Sequence, residues 1–146
     1  MRKIFLRYTF DRMKPLLRCL SFFVLLTCGC NTNNYTDATT ALEGSREFID
    51  ACLKGDFKKA SFYMIDDNTN NSELLKLKRD YNTKGQEEKH AYSTASINIM
   101  EDATVNDSIH IINYKNSYDN IARKVKVINR NGKWLVDLKY TFNGNL

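Results

Sequence analysis

The sequence contains few of the residues that mark common active sites. Its 146 residues include only two histidines, six glycines and one proline. The two histidines, His90 and His110, are widely separated and have no paired cysteine set, so their spacing predicts no metal site. There is no glycine-rich phosphate loop and no nucleophile elbow. We therefore expect neither a cofactor nor a bound metal.

Positive charge is concentrated at the start of the chain. The formal net charge is +5, from 22 basic and 17 acidic residues. Residues 1–18 hold six of the basic residues but only one acidic residue, Asp11, which leaves 16 of each sign in the rest. The basic character belongs to this leader, so composition gives no reason to expect nucleic-acid binding. An apolar content of 42% argues against general disorder.

A short uncharged run follows the basic leader. Residues 19–30 read CLSFFVLLTCGC, and twelve residues are too few for a transmembrane helix, which needs about 20. The run resembles the apolar core of a secretory signal peptide behind a positively charged n-region. Met13 would start a more compact leader of the same kind. The alternative is a long n-region that begins at Met1.

The end of this run resembles the lipobox of bacterial lipoproteins. Gly29, a small residue, stands directly before Cys30, as cleavage by the lipoprotein signal peptidase requires. The resemblance implies removal of residues 1–29 and lipid attachment at Cys30, with two or more acyl chains as a stable membrane anchor. Cys28 is the alternative attachment site, although Thr27 is a poor residue before it. An ordinary signal peptide with incidental cysteines is the alternative interpretation.

The segment after the lipobox is polar and poor in apolar residues. Residues 31–40 read NTNNYTDATT, which predicts that residues 30–40 form a lipidated cysteine and a flexible tether. Asn31 stands where an aspartate would retain a lipoprotein in the inner membrane. The resemblance therefore implies an anchor on the periplasmic face of the outer membrane. Cys52 would be the only unmodified thiol of the mature chain, so we expect no disulfide.

Helical periodicity dominates the first part of the remaining domain, residues 41–146. Thr40 and Glu43 fit a capping box, and the amphipathic helix that follows places Cys52 on its apolar stripe, which predicts a buried, inert thiol. Gly55 is expected to end this helix.

Two more helices are expected before the pattern changes. Asp56 is placed to cap a helix over residues 57–64, and a third helix is predicted over residues 72–81. The polar residues 66–71 and 83–89 are predicted to be loops.

The second half of the domain alternates with a period of two. The alternation predicts strands around residues 95–99 and 108–114, and two further strands around the Asn131-Gly132 turn. A two-residue turn pairs Asn129 with Trp134 and Lys126 with Asp137. Trp134, Val136 and Leu138 then share the buried face with Val125 and Val127, whereas Asp137 lies on the polar face in a structural or solvated position. Lys124 would oppose Lys139, a single unfavourable pair.

Helices followed by an antiparallel sheet define an α+β domain. The segment 53–60, LKGDFKKA, resembles the L-x-x-G-D-x-x-x-A helix junction of nuclear-transport-factor-2-like domains, and the segment 131–136, NGKWLV, resembles their closing G-x-W-x-V/I strand. The resemblance implies N-terminal helices packed on a curved antiparallel sheet, a cone with an internal cavity. The family includes ketosteroid isomerases, dehydratases, polyketide cyclases and many members without known activity.

Few residues are candidates for catalysis in such a cavity. His110 is the only histidine in a predicted strand and the one weak candidate for acid–base chemistry, although a lone strand histidine is more often a hydrogen-bonded or surface residue. Tyr63, Tyr92 and Tyr114 are potential hydrogen-bond donors in the cavity. Alternatively, they are packed side chains whose hydroxyl groups reach solvent. A basic cluster lies near the last hairpin and consists of Lys124, Lys126, Arg130, Lys133 and Lys139. We interpret it as a solvated face of the sheet.

These patterns favour a membrane-anchored lipoprotein with a non-catalytic binding or accessory domain over an enzyme. Its expected partners are the membrane, through the lipid, and a small apolar ligand or a protein. The alternative is an isomerase or dehydratase that uses the cone cavity. A third possibility is a scaffold whose cavity is plugged by Trp134, Phe48 and Phe62.

Overall fold

The computed structural model describes residues 35–142. The predicted signal peptide, the Met13 start and the attachment sites Cys30 and Cys28 lie outside the described residues. A compact unit begins at Tyr35, earlier than the predicted boundary at residue 41. Residues 35–40, which fall in the predicted tether, contact the rest of this unit: Ala38 is buried and the Tyr63 hydroxyl donates a 2.7 Å hydrogen bond to the Thr36 carbonyl.

The domain is α+β, with four helices followed by a four-stranded antiparallel sheet and a short terminal helix. The helices are α1 (Ala41–Lys54), α2 (Phe57–Phe62), α3 (Asn68–Thr83), α4 (Gln86–Ser93) and α5 (Lys139–Phe142). The strands are β1 (Ile97–Asn106), β2 (Ile109–Asn116), β3 (Arg123–Arg130) and β4 (Lys133–Asp137). The strands follow one another in the order β1-β2-β3-β4, and the sheet is not closed.

The first helix begins and ends as the sequence predicts, with one difference. The Thr40 side chain accepts a hydrogen bond from the Glu43 N–H, and Gly55 ends α1 with a φ of 73°, a conformation that glycine adopts without steric cost. The Glu43 carboxylate, however, accepts from the N–H and hydroxyl of Thr39 rather than from Thr40. The hydrogen bond from the Glu43 side chain back to the start of the helix is therefore made to Thr39, one residue before the position that a capping box predicts.

The later helices correct three predictions. Helix α2 ends at Phe62 instead of residue 64, because Tyr63–Ile65 turns to run beside β4. Helix α3 starts within the predicted loop, since Asp67 caps it with a bond from the Asn70 N–H. The predicted loop over residues 83–89 is also wrong, because α4 begins there. Its polar sequence gives no apolar stripe, although Glu87 and Glu88 in its first turn favour a helix.

The register of the last hairpin is as predicted. Asn129 pairs with Trp134, Val127 with Val136 and Lys126 with Asp137. Trp134, Val136 and Leu138 are all buried, which confirms the predicted buried face. The unfavourable pairing of Lys124 with Lys139 does not form, because β4 ends at Asp137 and Lys139 begins α5.

The core lies between α1 and one face of the sheet, here called the inner face. Helix α1 contributes Phe48, Ile49 and Leu53, and the strands contribute alternate residues of β2, β3 and β4. Phe62 lies outside this core, although the scaffold alternative expects it inside. It is 38% exposed and instead contacts the rings of Tyr35 and Tyr63.

Candidate functional site

A cavity of about 380 Å³ lies between α1 and the inner face of the sheet. Its volume is at the lower end of the range of small-molecule sites. Helices α1, α2 and α3 and strand β3 supply an apolar wall of aliphatic and aromatic side chains: Phe48, Ile49, Leu53, Phe57, Leu77 and Val125. Of the three residues that would plug the cavity in the scaffold alternative, Phe48 lines it, whereas Trp134 and Phe62 are absent from its lining.

Part of the cavity lining is polar and is built by two neighbouring strands. Tyr114 and Asn116 lie two residues apart on β2 and therefore point to the same face of the sheet. Arg123, the first residue of β3, is the cross-strand partner of Tyr114. All three residues line the cavity. The antiparallel register thus brings a phenol, an amide and a guanidinium to one wall.

Arg123 forms a bidentate ion pair with Asp119. The two terminal guanidinium nitrogens lie 2.9 and 2.6 Å from the two carboxylate oxygens. This hydrogen bonding lowers the pKa of Asp119 and raises the pKa of Arg123. The arginine is therefore oriented and its charge is compensated before any ligand binds.

Lysine and tyrosine side chains form the rim of the cavity. Lys84 pairs with Glu88, which also accepts a 3.0 Å hydrogen bond from the Tyr118 hydroxyl. The Lys84 ammonium lies 4.8 Å from the centroid of the Tyr92 ring, a cation–π contact. The hydrogen bond to Glu88 raises the pKa of Lys84. Asp80 also lines the cavity but is exposed to solvent.

Two titratable groups of the cavity remain neutral. Burial raises the pKa of Tyr114 above its ordinary value and raises that of the Cys52 thiol to about 12. Cys52 is a free, half-buried thiol in the cavity wall. Because the thiolate is the nucleophile, the raised pKa disfavours the reactive form of Cys52, whereas its half-buried position differs from the full burial that the apolar stripe predicts.

His110 lies on the inner face of the sheet but outside the cavity lining. Its Nδ1 atom lies 2.6 Å from Asp102 Oδ1, and its ring packs edge-on against Trp134 at 5.1 Å. Asp102 is exposed, so the pair does not provide a buried carboxylate. His90 lies on the exposed surface of α4, where a loop was expected. The structure brings neither histidine to the cavity.

The predicted tyrosines and Asp137 divide between cavity and structure. Tyr92 and Tyr114 line the cavity, whereas Tyr63 binds a backbone carbonyl. Asp137 is opposite Lys126 as predicted, but a solvated position is wrong because the residue is 6% exposed. The start of α3 covers it, and the Asn70 amide donates to its carboxylate at 3.3 Å. Its role is structural.

The basic cluster near the last hairpin is partly neutralised. Lys133 pairs with Asp37 at 2.9 Å, and Lys139 pairs with Asp67 at 2.7 Å. Lys126 lies 3.8 Å from Asp137. Lys124 and Arg130 make no ion pair among the described residues.

Sequence reasoning missed Asn116, Arg123 and Lys84 as cavity residues. Alternation along β2 was a usable signal for Asn116, which is two residues beyond Tyr114. Arg123 depends on the register between β2 and β3, for which the sequence offers no tight turn. Lys84 depends on the position of α3 and α4, which no short-range pattern sets.

Within residues 35–142, no three acidic, histidine or cysteine side chains are grouped so that they could hold a metal ion. None of the helices described in that range is long and apolar enough to span a membrane.

No protein-family model matches the chain, and comparisons with curated proteins and with solved structures give no significant match.

Proposed function

We propose that the domain is a non-catalytic binding module that holds a small, mainly apolar molecule in the cavity between α1 and the sheet. The observation that carries this proposal is the cavity itself, which is lined by aliphatic and aromatic side chains together with a few polar groups. Cavities of this size with a few convergent polar groups are typical of ligand sites. The isomerase or dehydratase alternative has less support, because His110 and Asp102 are outside the lining and the lining carboxylate, Asp80, is exposed.

We also propose that the helices and sheet form a nuclear-transport-factor-2-like cone. Two features support this geometry. The cavity lies between the helices and the inner face of the sheet, where the cone would place it. Strand β1 also has register shifts between Ile99 and Glu101 and between Thr104 and Asn106, and such bulges bend a strand.

The test of the binding function is to fill the cavity. Leu77 is half-buried on α3 and lines the cavity, so Leu77→Trp would occupy much of the ligand's space. We expect the wild-type domain to bind the neutral dye N-phenyl-1-naphthylamine saturably, with a rise in dye fluorescence, and Leu77→Trp to abolish this binding. Leu75→Trp is the matched control, because Leu75 is on the same helix but 53% exposed and outside the lining.

Both variants should keep the far-ultraviolet circular dichroism of the wild type. Equal dye binding by Leu77→Trp and Leu75→Trp would contradict the proposed site. A folded wild-type domain that binds no dye would favour the scaffold alternative.

We propose further that a lipid on Cys30 tethers this module to the periplasmic face of the outer membrane. The support is the small residue before Cys30 at the end of the short apolar run. Cys30→Ser should move the protein from the membrane fraction to the soluble fraction or leave it unprocessed. Mass spectrometry of the mature N-terminus is the direct measurement, and an unacylated N-terminus at another residue would refute the anchor.

A further inference from the structure

The polar wall of the cavity contains two hydrogen-bond donors that have no partner among the described residues. The Tyr114 hydroxyl makes no hydrogen bond within residues 35–142. The Asn116 amide oxygen accepts from the N–H groups of Tyr118 and Asp119, which fixes the amide orientation, but the amide nitrogen donates to no residue of that part of the chain. Both residues are more than nine-tenths buried, at 8% and 3% exposed.

These two donors must face the cavity. No fully enclosed side-chain nitrogen or oxygen in the described part of the chain lacks a hydrogen-bond partner. The Tyr114 hydroxyl and the Asn116 amide nitrogen, which lack one, therefore reach open space, and the open space that both residues line is the cavity. A donor inside a narrow cavity is weakly solvated, so a ligand that supplies an acceptor gains a hydrogen bond there.

The cavity charges argue against an anionic ligand. Arg123 is paired with Asp119, and Lys84 is paired with Glu88. Asp80 lines the cavity and has no ion pair among the described residues. The charge that is left uncompensated at the cavity is therefore negative, and a carboxylate placed there would meet a repulsive field without a free cation.

The two donors themselves stay neutral. Burial holds the Tyr114 hydroxyl in its protonated form at physiological pH, so it can donate but offers no charge. The Asn116 amide does not titrate. The polar wall thus presents neutral donors two residues apart on one strand face, in a cavity that is also lined by aliphatic and aromatic side chains.

From these contacts we infer that the cavity takes a neutral, mainly apolar molecule that carries one hydrogen-bond acceptor, of the carbonyl type, which binds to the Tyr114 hydroxyl and the Asn116 amide. The inference rests on the proposed binding function and specifies the chemical class of its ligand.

The experiment uses three probes with the same naphthalene body: 2-acetylnaphthalene, 2-ethylnaphthalene and 2-naphthoate. They present a neutral carbonyl, no polar group and a carboxylate, and their affinities are measured by displacement of N-phenyl-1-naphthylamine. We expect 2-acetylnaphthalene to bind about fivefold more tightly than 2-ethylnaphthalene, the effect of one net hydrogen bond, and 2-naphthoate to bind most weakly.

Tyr114→Phe should reduce this carbonyl preference while leaving the affinity for 2-ethylnaphthalene unchanged. The matched control is Tyr140→Phe, because Tyr140 is outside the cavity lining and contacts Lys126 instead. This control should keep the full preference.

Each other outcome overturns the inference in a distinct way. Equal affinities of the acetyl and ethyl probes, with the dye still bound, would remove the donor role and leave the binding function standing. Tightest binding of 2-naphthoate would show an anion site. If neither the dye nor any probe binds to the folded domain, the proposed function fails together with the inference.

Discussion

The β3–β4 and β1–β2 hairpins differ in how firmly their sequence and surroundings define them. In the β3–β4 hairpin, a two-residue turn sets an uninterrupted register, and Val127 and Val136 pair on a fully buried face. In the β1–β2 hairpin, the register shifts twice and most of β1 is exposed. The first hairpin tolerates one register only, because a slip by one residue would expose its whole apolar set.

The edges of the sheet differ in the same way. Ile65 and Tyr63 exchange backbone hydrogen bonds of 2.9 and 2.8 Å with Val136, and the Trp134 N–H donates to the Ala38 carbonyl. The edge of β4 is therefore covered. Among the described strands, β1 has a neighbour on one side only, and its bulges and acidic residues, Glu101 and Asp102, discourage edge pairing. Coverage and register together make β4 the better protected of the two edge strands.

The largest expected effect is in the β3–β4 hairpin. Trp134→Ala should lower the free energy of unfolding by about 3–5 kcal/mol, because it removes a large buried aromatic side chain that packs beside His110. Met100→Ala in β1 is the matched control, since Met100 is 48% exposed, and it should change stability by no more than about 0.5 kcal/mol. Chemical denaturation measures both. Similar losses in the two variants would mean that the hairpins do not differ in the proposed way.

A smaller effect tests how closely α1 approaches β4. A methyl group at Gly44 would lie 2.5 Å from the Trp134 carbonyl oxygen, so Gly44→Ala should destabilise the domain by roughly 1–3 kcal/mol despite the better helix propensity of alanine. The clash is with backbone, which cannot move aside as a flexible side chain would. Thermal or chemical denaturation gives the difference.

Gly85→Ala is the control for that substitution. A methyl group at Gly85 meets no atom within 4 Å, and its φ of −66° suits alanine. The free energy of unfolding of Gly85→Ala should stay within about 0.5 kcal/mol of that of the wild type. A loss at Gly85 as large as that at Gly44 would show that the clash is not the cause.

The predictability of the fold follows the same contrast. Asn131-Gly132 and the alternation around Trp134 are two independent local signals, and they agree, so the β3–β4 register could be predicted from sequence. The limits of α1 were predictable because Thr40 and Gly55 are strong cap residues. Helix α4 was missed because its polar sequence has no apolar stripe, and Asp67 was missed as the cap of α3 because it sits in a polar stretch.

The cavity was less predictable than the fold around it. Its apolar wall follows from the stripe of α1, which includes Phe48 and Cys52. Its polar wall depends on contacts between distant segments, above all the pairing of Tyr114 with Arg123. The hydrogen bond from the Asn70 amide to the Asp137 carboxylate also joins residues that are far apart in the sequence. Such contacts depend on the tertiary packing, and a short-range pattern carries no information about it.

The smallest of the three effects tests the anchor of β4 at its C-terminal end. The Asn70 N–H bond and the contact with the Lys139 ammonium lower the pKa of Asp67. A carboxyl whose pKa is lower in the folded than in the unfolded chain stabilises the fold above its unfolded pKa of about 3.9, and this stabilisation is lost as the pH falls through the folded value. The wild type should therefore lose stability on acidification from pH 6 to pH 3.

Asp67→Asn should lose less over the same interval, because asparagine still caps α3 but carries no charge to titrate or to bind Lys139. Asp66→Asn is the neighbouring control: the Asp66 carboxylate accepts from the Asn71 amide and not from a lysine, so this variant should follow the wild-type pH dependence. Urea denaturation at several pH values measures all three. The effect is small because the Asp67–Lys139 pair is partly exposed, where solvent screens the charges. If the free energy of unfolding of the wild type and of Asp67→Asn depends on pH in the same way, the Asp67 charge does not stabilise the C-terminal end of β4. The Asn70 hydrogen bonds and the backbone pairing with Ile65 would then hold it alone.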